Sequence, residues 1–136
     1  MEELGEFSGF LIIASVGLLS FRYILKFVFQ KFGSQMDEKT KSLVVKTMTL
    51  NKQLHPYVSY FALIMILVHV YLQTGFNFRF KFDELTGMLA SGLLVLNVFI
   101  GIAGQYIFNK PRPKWWKPMH RLLTILSILV ILIHID

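Results

Sequence analysis

Four long apolar segments constrain this chain more than any other feature of its sequence. They run over residues 7–29, 55–73, 85–108 and 119–136. A helix needs about 20 residues to cross the hydrocarbon core of a bilayer, and each segment is close to that length. Hydrophobic residues make up 54% of the 136 residues, and the mean hydropathy is +0.57. The sequence therefore predicts a single all-α domain, an integral membrane four-helix bundle that spans a lipid bilayer.

Residues at the segment boundaries support the predicted helices, but they leave the structure of one connecting segment undecided. Pro56 suits the first turn of the second helix, because the N–H that proline lacks would have no helical partner there. Asp83 and Glu84 supply an acidic start for the third helix. Residues 30–54 fit either a short amphipathic helix on the membrane surface or a plain cytoplasmic loop.

Basic residues fall almost entirely on one side of the predicted membrane. Residues 22–52 hold seven Lys and Arg and residues 110–121 hold five, against none before residue 22 and two in residues 74–84. Six of the eight acidic residues lie on the opposite side. By the positive-inside rule, both termini of this multi-pass protein face the outer side of the cell membrane. The net charge of +6 is therefore a topology signal and does not support nucleic-acid binding.

Several kinds of chemistry are excluded by residues and motifs that the sequence lacks. There is no cysteine, so disulfides, thiolate metal sites and Cys-ligated iron–sulfur clusters cannot form. No dinucleotide fingerprint or phosphate-binding loop occurs in the sequence. Any flavin or nucleotide chemistry is therefore expected to come from another protein.

The four histidines form two pairs with the same spacing. His55 and His69 lie fourteen residues apart in the second segment, as do His120 and His134 in the fourth. Fourteen residues turn through about 1400°, close to four full turns, so each pair lies on one helix face about 21 Å apart. Because both helices run outward, His55 is predicted to lie level with His120. By the same reasoning, His69 lies level with His134.

Histidines at these depths point to a cofactor. An imidazole in a membrane needs a partner, and intramembrane ionisable residues are by default functional. Two facing neutral imidazoles can supply both axial ligands of a haem iron, and the flat apolar haem suits the space between two helices. Two alternatives stay open. The histidines could be packing residues of a non-redox membrane anchor or assembly protein, or the ligands of a zinc or ferrous ion carrier.

Two stretches of the sequence carry a family resemblance. WWKPMHRLLTILSILVILIH resembles the Trp, His-Arg-Leu and His pattern of the ferric reductase-like transmembrane family, and LHPYVSYFALIMILVH resembles its partner helix. The wider group of diheme membrane cytochromes b is similar, and the resemblance covers residues 50–136. It implies transmembrane electron transfer through two b-type haems. Their axial ligands would be His55 with His120, and His69 with His134.

This chain also departs from that family in ways that bear on its partners. Family members commonly have six helices and often a fused FAD- and NAD(P)H-binding domain, whereas this sequence has four predicted spans and no such domain. The electron donor is therefore expected to be a cytoplasmic flavoprotein, an iron–sulfur protein or quinol. A quinone-linked cytochrome b anchor subunit of a redox complex is the alternative within the same class. The acceptor and the oligomeric state stay open.

Other residues are candidates for binding the haems. Haem propionates are anionic and need cations or hydrogen-bond donors near the membrane surface. The cationic candidates are Lys52, Lys117, Arg121 and Arg22 for the inner haem, and Arg79 and Lys81 for the outer one. Gly87 and Gly101, also fourteen residues apart, would put a surface without side chains beside each haem. The simpler readings are the positive-inside rule for the cations and helix packing for the glycines. Trp115 and Trp116 are most simply interfacial residues.

Overall fold

Four helices make up nearly all of the described chain. The computed structural model describes residues 2–75, 82–108 and 113–135, so Arg79 and Lys81 lie outside the described residues. The helices are α1 (Glu2–Phe32), α2 (Glu38–Thr74), α3 (Phe82–Ile102) and α4 (Trp116–Ile135). With the π-helical turn that follows α3, all four are long and apolar enough to span a membrane. The predicted all-helical, four-span architecture is confirmed, while the side on which each terminus lies stays a prediction.

The helix α2 begins well before the predicted second span. Asp37 caps it by accepting a hydrogen bond from the backbone N–H of Thr40 at 3.4 Å, and hydrogen bonding from Thr40 holds the pKa of the Asp37 carboxyl below its ordinary value. Residues 38–54 are helical and continuous with the span, so they form neither a separate surface helix nor a loop. Pro56 lies inside the helix rather than in its first turn. There it leaves the carbonyl of Lys52 without its helical hydrogen bond.

The C-terminal ends of α2 and α3 have different causes. Gly75 follows α2 in the left-handed conformation with φ 54°, and its N–H donates to the Tyr71 carbonyl at 2.8 Å. Glycine adopts this conformation without strain, which makes it the usual residue at such an end. After α3, the residues Ala103–Ile107 form a π-helical turn, and the Phe108 N–H donates to the Ala103 carbonyl at 2.9 Å. Such turns shift the helical register by one residue and often lie at functional sites.

Helices that follow one another in the chain pack as antiparallel neighbours. α1 packs on α2, α2 on α3 and α3 on α4, whereas α2 and α4 approach each other much less closely. The amide of Asn51 donates to the Leu18 carbonyl at 2.7 Å, and Gly9 lies beside His69, which sets the antiparallel register of the first pair. Two reversals, from α2 to α3 and from α3 to α4, make α2 parallel to α4. The two histidine-bearing helices therefore face each other across a gap.

Positions seven residues apart divide the bundle into three layers. Seven residues turn through about 700°, nearly two full turns, so such positions share a helix face. The outer layer is Gly9, His69, Gly87 and His134, the middle layer is Val16, Ala62, Leu94 and Ser127, and the inner layer is Tyr23, His55, Gly101 and His120. In the middle layer Ser127 is fully buried, Ala62 and Leu94 are buried, and Ile12 and Ile66 pack against Leu94. The packed core thus lies between the two histidine layers.

Candidate functional site

His55 of α2 and His120 of α4 face each other in the inner layer. Their ring centroids are 6.1 Å apart, and their planes are inclined at 73°. A metal bonded to two imidazoles at about 2 Å each leaves the ring centres about 6 Å apart. The same separation is also normal for an edge-to-face contact between two aromatic rings. The structure thus brings together the two inner histidines that their spacing predicts to be level.

A cavity of about 330 Å³ opens beside the inner histidines and is lined by all four helices. Its walls are mainly apolar, with side chains such as Val16, Leu94 and Val98. Ser20 and Asn97 are among the lining residues, and within the described ranges their Oγ and Oδ1 atoms are buried without a hydrogen-bond partner. Unpaired buried polar atoms are rare in native proteins and usually indicate a function or a missing partner. The cavity therefore combines room for a ligand with unused hydrogen-bonding capacity.

A second cavity of about 690 Å³ adjoins the first, and both inner histidines line the two cavities. Five cationic residues line it: Arg22, Lys26, Lys52, Lys117 and Arg121. No acidic side chain is among the lining residues that the structure describes. Lys26 is an addition to the predicted cations, and its position four residues after Arg22, on the same helix face, is the signal that could have found it. Together the cavities suit a ligand with an apolar body and an anionic edge.

Trp116 stacks on the ring of His120. The two ring planes are parallel within 4°, and their centroids are 5.9 Å apart. The indole N–H donates to the Ile100 carbonyl at 2.7 Å, and the indole ring packs directly against Gly104 in the π-helical turn. The structure therefore gives Trp116 a role in the inner site beyond that of an interfacial residue. Its position four residues before His120 is the signal in the sequence that could have indicated this contact.

The inner and outer histidines differ in the hydrogen-bond partners of their Nδ1 atoms. In His120, Nδ1 is buried and makes no hydrogen bond of ordinary length and angle within the described chain, although the backbone of Asn97 is a neighbouring acceptor. In His69, Nδ1 donates to the Gly5 carbonyl at 2.9 Å and lies 3.2 Å from Ser8 Oγ. Because a carbonyl only accepts, the proton of His69 is assigned to Nδ1. This leaves Nε2 as the free base, which is the form that binds a metal.

The second outer histidine is held in a similar way by α3. Nδ1 of His134 lies 3.2 Å from Thr86 Oγ1. A Cβ built on Gly87 would lie 2.9 Å from Cε1 of His134 and 3.2 Å from Nε2. A side chain at this position would crowd the ring, so Gly87 allows α3 to pack against the Cε1 and Nε2 edge of His134. Its inner counterpart Gly101 is less crowded, with a built Cβ 3.4 Å from Cε1 of His120.

The first helix supplies contacts that the sequence did not reveal. A Cβ built on Gly9 would lie 3.1 Å from Cε1 of His69. The Gly5 carbonyl and the Ser8 hydroxyl fix the same ring, and Thr86 does so for the other outer histidine. Small residues are common throughout membrane helices, so composition alone does not mark which of them meet an imidazole.

The geometry of the inner site and the four spans together define a class of protein. Within residues 2–75, 82–108 and 113–135, no three metal-binding side chains cluster together, so the histidines are arranged as pairs at most. The class is that of a four-helix, multi-pass membrane protein in which a histidine pair lines a cavity with a cationic end. No protein family, curated protein or solved structure matches this chain. The resemblance to the ferric reductase-like transmembrane family therefore stays a prediction.

Proposed function

We propose that this protein is a diheme membrane cytochrome b that carries electrons across the bilayer. The inner haem would be held by His55 and His120, and the outer haem by His69 and His134. The observation that carries the proposal is the inner pair, whose ring centroids lie 6.1 Å apart on parallel helices beside a cavity. Both termini would face outward, and electrons would pass from the cytoplasmic side to an outer acceptor.

The lining and the charge of the inner site support a haem there. The mainly apolar cavity of about 330 Å³ offers room for a hydrophobic ring, and the adjoining cationic cavity would suit its two carboxylates. Arg121 directly follows a ligand in the sequence, and its guanidinium carbon lies 5.9 Å from the ring centroid of Tyr23. Lys52 lines both cavities, which supports a role beside the imidazoles. These two residues are the strongest candidates for binding the carboxylates.

The outer site fits through the orientation of its imidazoles. Histidines that bind metals usually donate the second ring N–H to a carbonyl, a carboxylate or water, which fixes the tautomer and the ring plane. The bond from His69 to the Gly5 carbonyl at 2.9 Å has this form. Thr86 is a weaker equivalent for His134 at 3.2 Å. Gly9 and Gly87 keep the space beside these rings free of side chains.

In this proposal, the protein supplies ligands, spacing and a dry environment. A haem held by such a histidine pair would supply reversible one-electron chemistry. The histidines set the two sites about 21 Å apart along the helix axis. The buried middle layer, with Ala62, Leu94 and Ser127, keeps water out of the space between them. A cytoplasmic flavoprotein or iron–sulfur protein could dock on the basic inner face and act as donor, and quinol is the alternative.

The test is a measurement of bound haem. The protein is purified from cells with an adequate haem supply, and a dithionite-reduced minus oxidised spectrum is combined with a pyridine haemochrome assay. We expect two b-type haems per chain and the low-spin spectrum of bis-histidine ligation. Protein without haem, in a folded helical state, would refute the proposal. Zinc and iron are then measured in the same material to test the alternative function as a metal-ion carrier. That alternative predicts that the protein binds either ion in place of haem.

A further inference from the structure

Two helices line the cationic cavity with matching polar faces. On α1, the residues Arg22, Lys26 and Gln30 recur every four positions, so they lie along one face. On α4, Lys117 and Arg121 have the same spacing and line the same cavity. α1 and α4 do not pack closely along their lengths, and α2 forms the wall between them. The cavity is therefore a groove between two membrane helices, at the end of the bundle that carries the basic residues.

The charge in this groove exceeds what one haem can balance. Five cations line it, and none of its described lining residues is acidic. A haem carries two carboxylates, which leaves three positive charges without a counterion in the groove. Like charges held close together at a membrane surface repel one another more strongly than in bulk water, because the local dielectric is lower. The surplus predicts a second anion in the same groove.

The cations lie at two depths along the groove, so the haem carboxylates and a second anion would contact different residues. Lys52 also lines the apolar cavity, and Arg22 and Arg121 lie close to the imidazole layer along their helices. By helix register, Lys26, Lys52 and Lys117 each lie three residues beyond that layer, toward the basic end of the bundle. Lys26 and Lys117 line only the second cavity, as Arg22 and Arg121 do, whereas Lys52 lines both. Lys26 and Lys117 are therefore the two cations that are neither level with the imidazoles nor on the wall of the apolar cavity, and the part of the groove beside them is its mouth.

We propose that this mouth binds a phosphate group, with Lys26 and Lys117 as its main ligands. The inference rests on the proposed function for the count of two haem carboxylates. An anionic phospholipid headgroup and free phosphate both have the required chemistry. The groove favours the lipid, because Phe27 beside Lys26 is 61% exposed and offers an apolar surface to an acyl chain. A phosphate bound here would hold α1 and α4 together at the inner face.

Native mass spectrometry tests whether the bound phosphate group belongs to a phospholipid. The protein is reconstituted in nanodiscs with equal parts phosphatidylglycerol and phosphatidylcholine, and the lipids that stay bound on release are counted. We expect retention of phosphatidylglycerol over phosphatidylcholine, and the Lys26→Gln/Lys117→Gln variant should lose this preference by on the order of ten-fold. The control is Lys46→Gln/Lys114→Gln, which removes two charges from exposed lysines outside the cavities and should retain the preference.

Free phosphate is tested on the detergent-solubilised protein. Thermal unfolding is followed in inorganic phosphate and in chloride at equal ionic strength. Stabilisation by phosphate that disappears in the Lys26→Gln/Lys117→Gln variant, without lipid selectivity, would identify free phosphate as the source. If neither lipid nor phosphate distinguishes this variant from its control, the site does not exist. Haem measured in the same samples separates the two proposals, because haem-free protein that selects phosphatidylglycerol refutes the proposed function alone.

Discussion

The inner and outer histidine layers are built from the same helix spacing, yet their surroundings differ. In the outer layer, neighbouring helices contact the imidazoles directly, through the Gly5 carbonyl and the Thr86 hydroxyl. In the inner layer, Nδ1 of His120 makes no such hydrogen bond with the residues that the structure describes, and Trp116 stacks on the ring. The two cavities, one of them cationic, lie beside the inner pair.

This difference indicates two ways of orienting an imidazole inside a membrane. A hydrogen bond from Nδ1 fixes both the ring plane and the tautomer, and it works best where helices are in close contact. Stacking fixes the ring plane but does not determine which ring nitrogen carries the proton. It is also compatible with an open cavity beside the ring. The outer layer therefore depends on small residues that allow close packing, and the inner layer depends on one large aromatic side chain.

The largest expected effect is the loss of one haem without the other when a single histidine is replaced. His134→Ala should remove the outer haem and leave the inner one largely intact, and His120→Ala should do the reverse. The haem content should fall from two per chain to one in each variant, because each haem needs both of its axial ligands. The pyridine haemochrome assay counts the haems, and redox titration identifies which one is lost. Retention of both haems in either variant would contradict the pairing.

Glycine substitutions in α3 are expected to have a graded effect. Gly87→Ala places a Cβ 2.9 Å from the His134 ring, so the ring must move and the outer haem should be lost or bound weakly. Gly101→Ala meets the His120 ring at 3.4 Å and should have a milder effect. Gly92→Ala is the matched control, since its Cβ meets nothing within 4 Å. Equal haem content in all three variants would show that the glycines serve only helix packing.

The hydrogen bonds of the outer layer give the next effect. Thr86→Val removes the hydroxyl beside Nδ1 of His134 with little change in shape. Loss of such a partner typically weakens metal binding by about 10-fold or more, so the outer haem should dissociate faster to a haem acceptor protein while the inner haem does not. Thr47→Val is the control, because Thr47 is bonded only to its own helix, at the Leu43 carbonyl. Release of both haems at the same rate would contradict the proposed difference between the inner and outer layers.

The smallest expected effect concerns Trp116. Trp116→Phe keeps an aromatic ring for stacking but loses the hydrogen bond to Ile100, at a cost of about 1 kcal/mol in the free energy of unfolding. The low-spin signal of the inner haem in electron paramagnetic resonance should stay sharp. In Trp116→Ala that signal should broaden, because the His120 ring loses its stacking partner and samples more orientations. A change confined to the outer haem would contradict this assignment, and Trp115→Phe is the control.

Much of the architecture was predictable because it depends on properties of single helices. Length and apolar composition determine which segments can cross a bilayer, and the described chain has four such helices. The helical repeat determines which residues share a face and how far apart they lie, so the pairing of His55 with His120 followed from the spacing and from the predicted parallel direction of their helices. The cations near the inner histidines could be found for the same reason, since Lys117 and Arg121 are neighbours of His120 in sequence.

The rest depends on contacts between helices, which local sequence does not encode. Pro56 is typical of a helix start, yet α2 continues through it because no glycine or second proline interrupts residues 38–54 and the helix packs against α1 along its length. The roles of Gly9 and Trp116 follow from which faces meet after packing. The sequence by itself determined the spans, the histidine faces and their depths, because these are properties of one helix. Only the tertiary structure decided which carbonyl, hydroxyl, glycine or indole lies against each imidazole, because those choices depend on the register between helices.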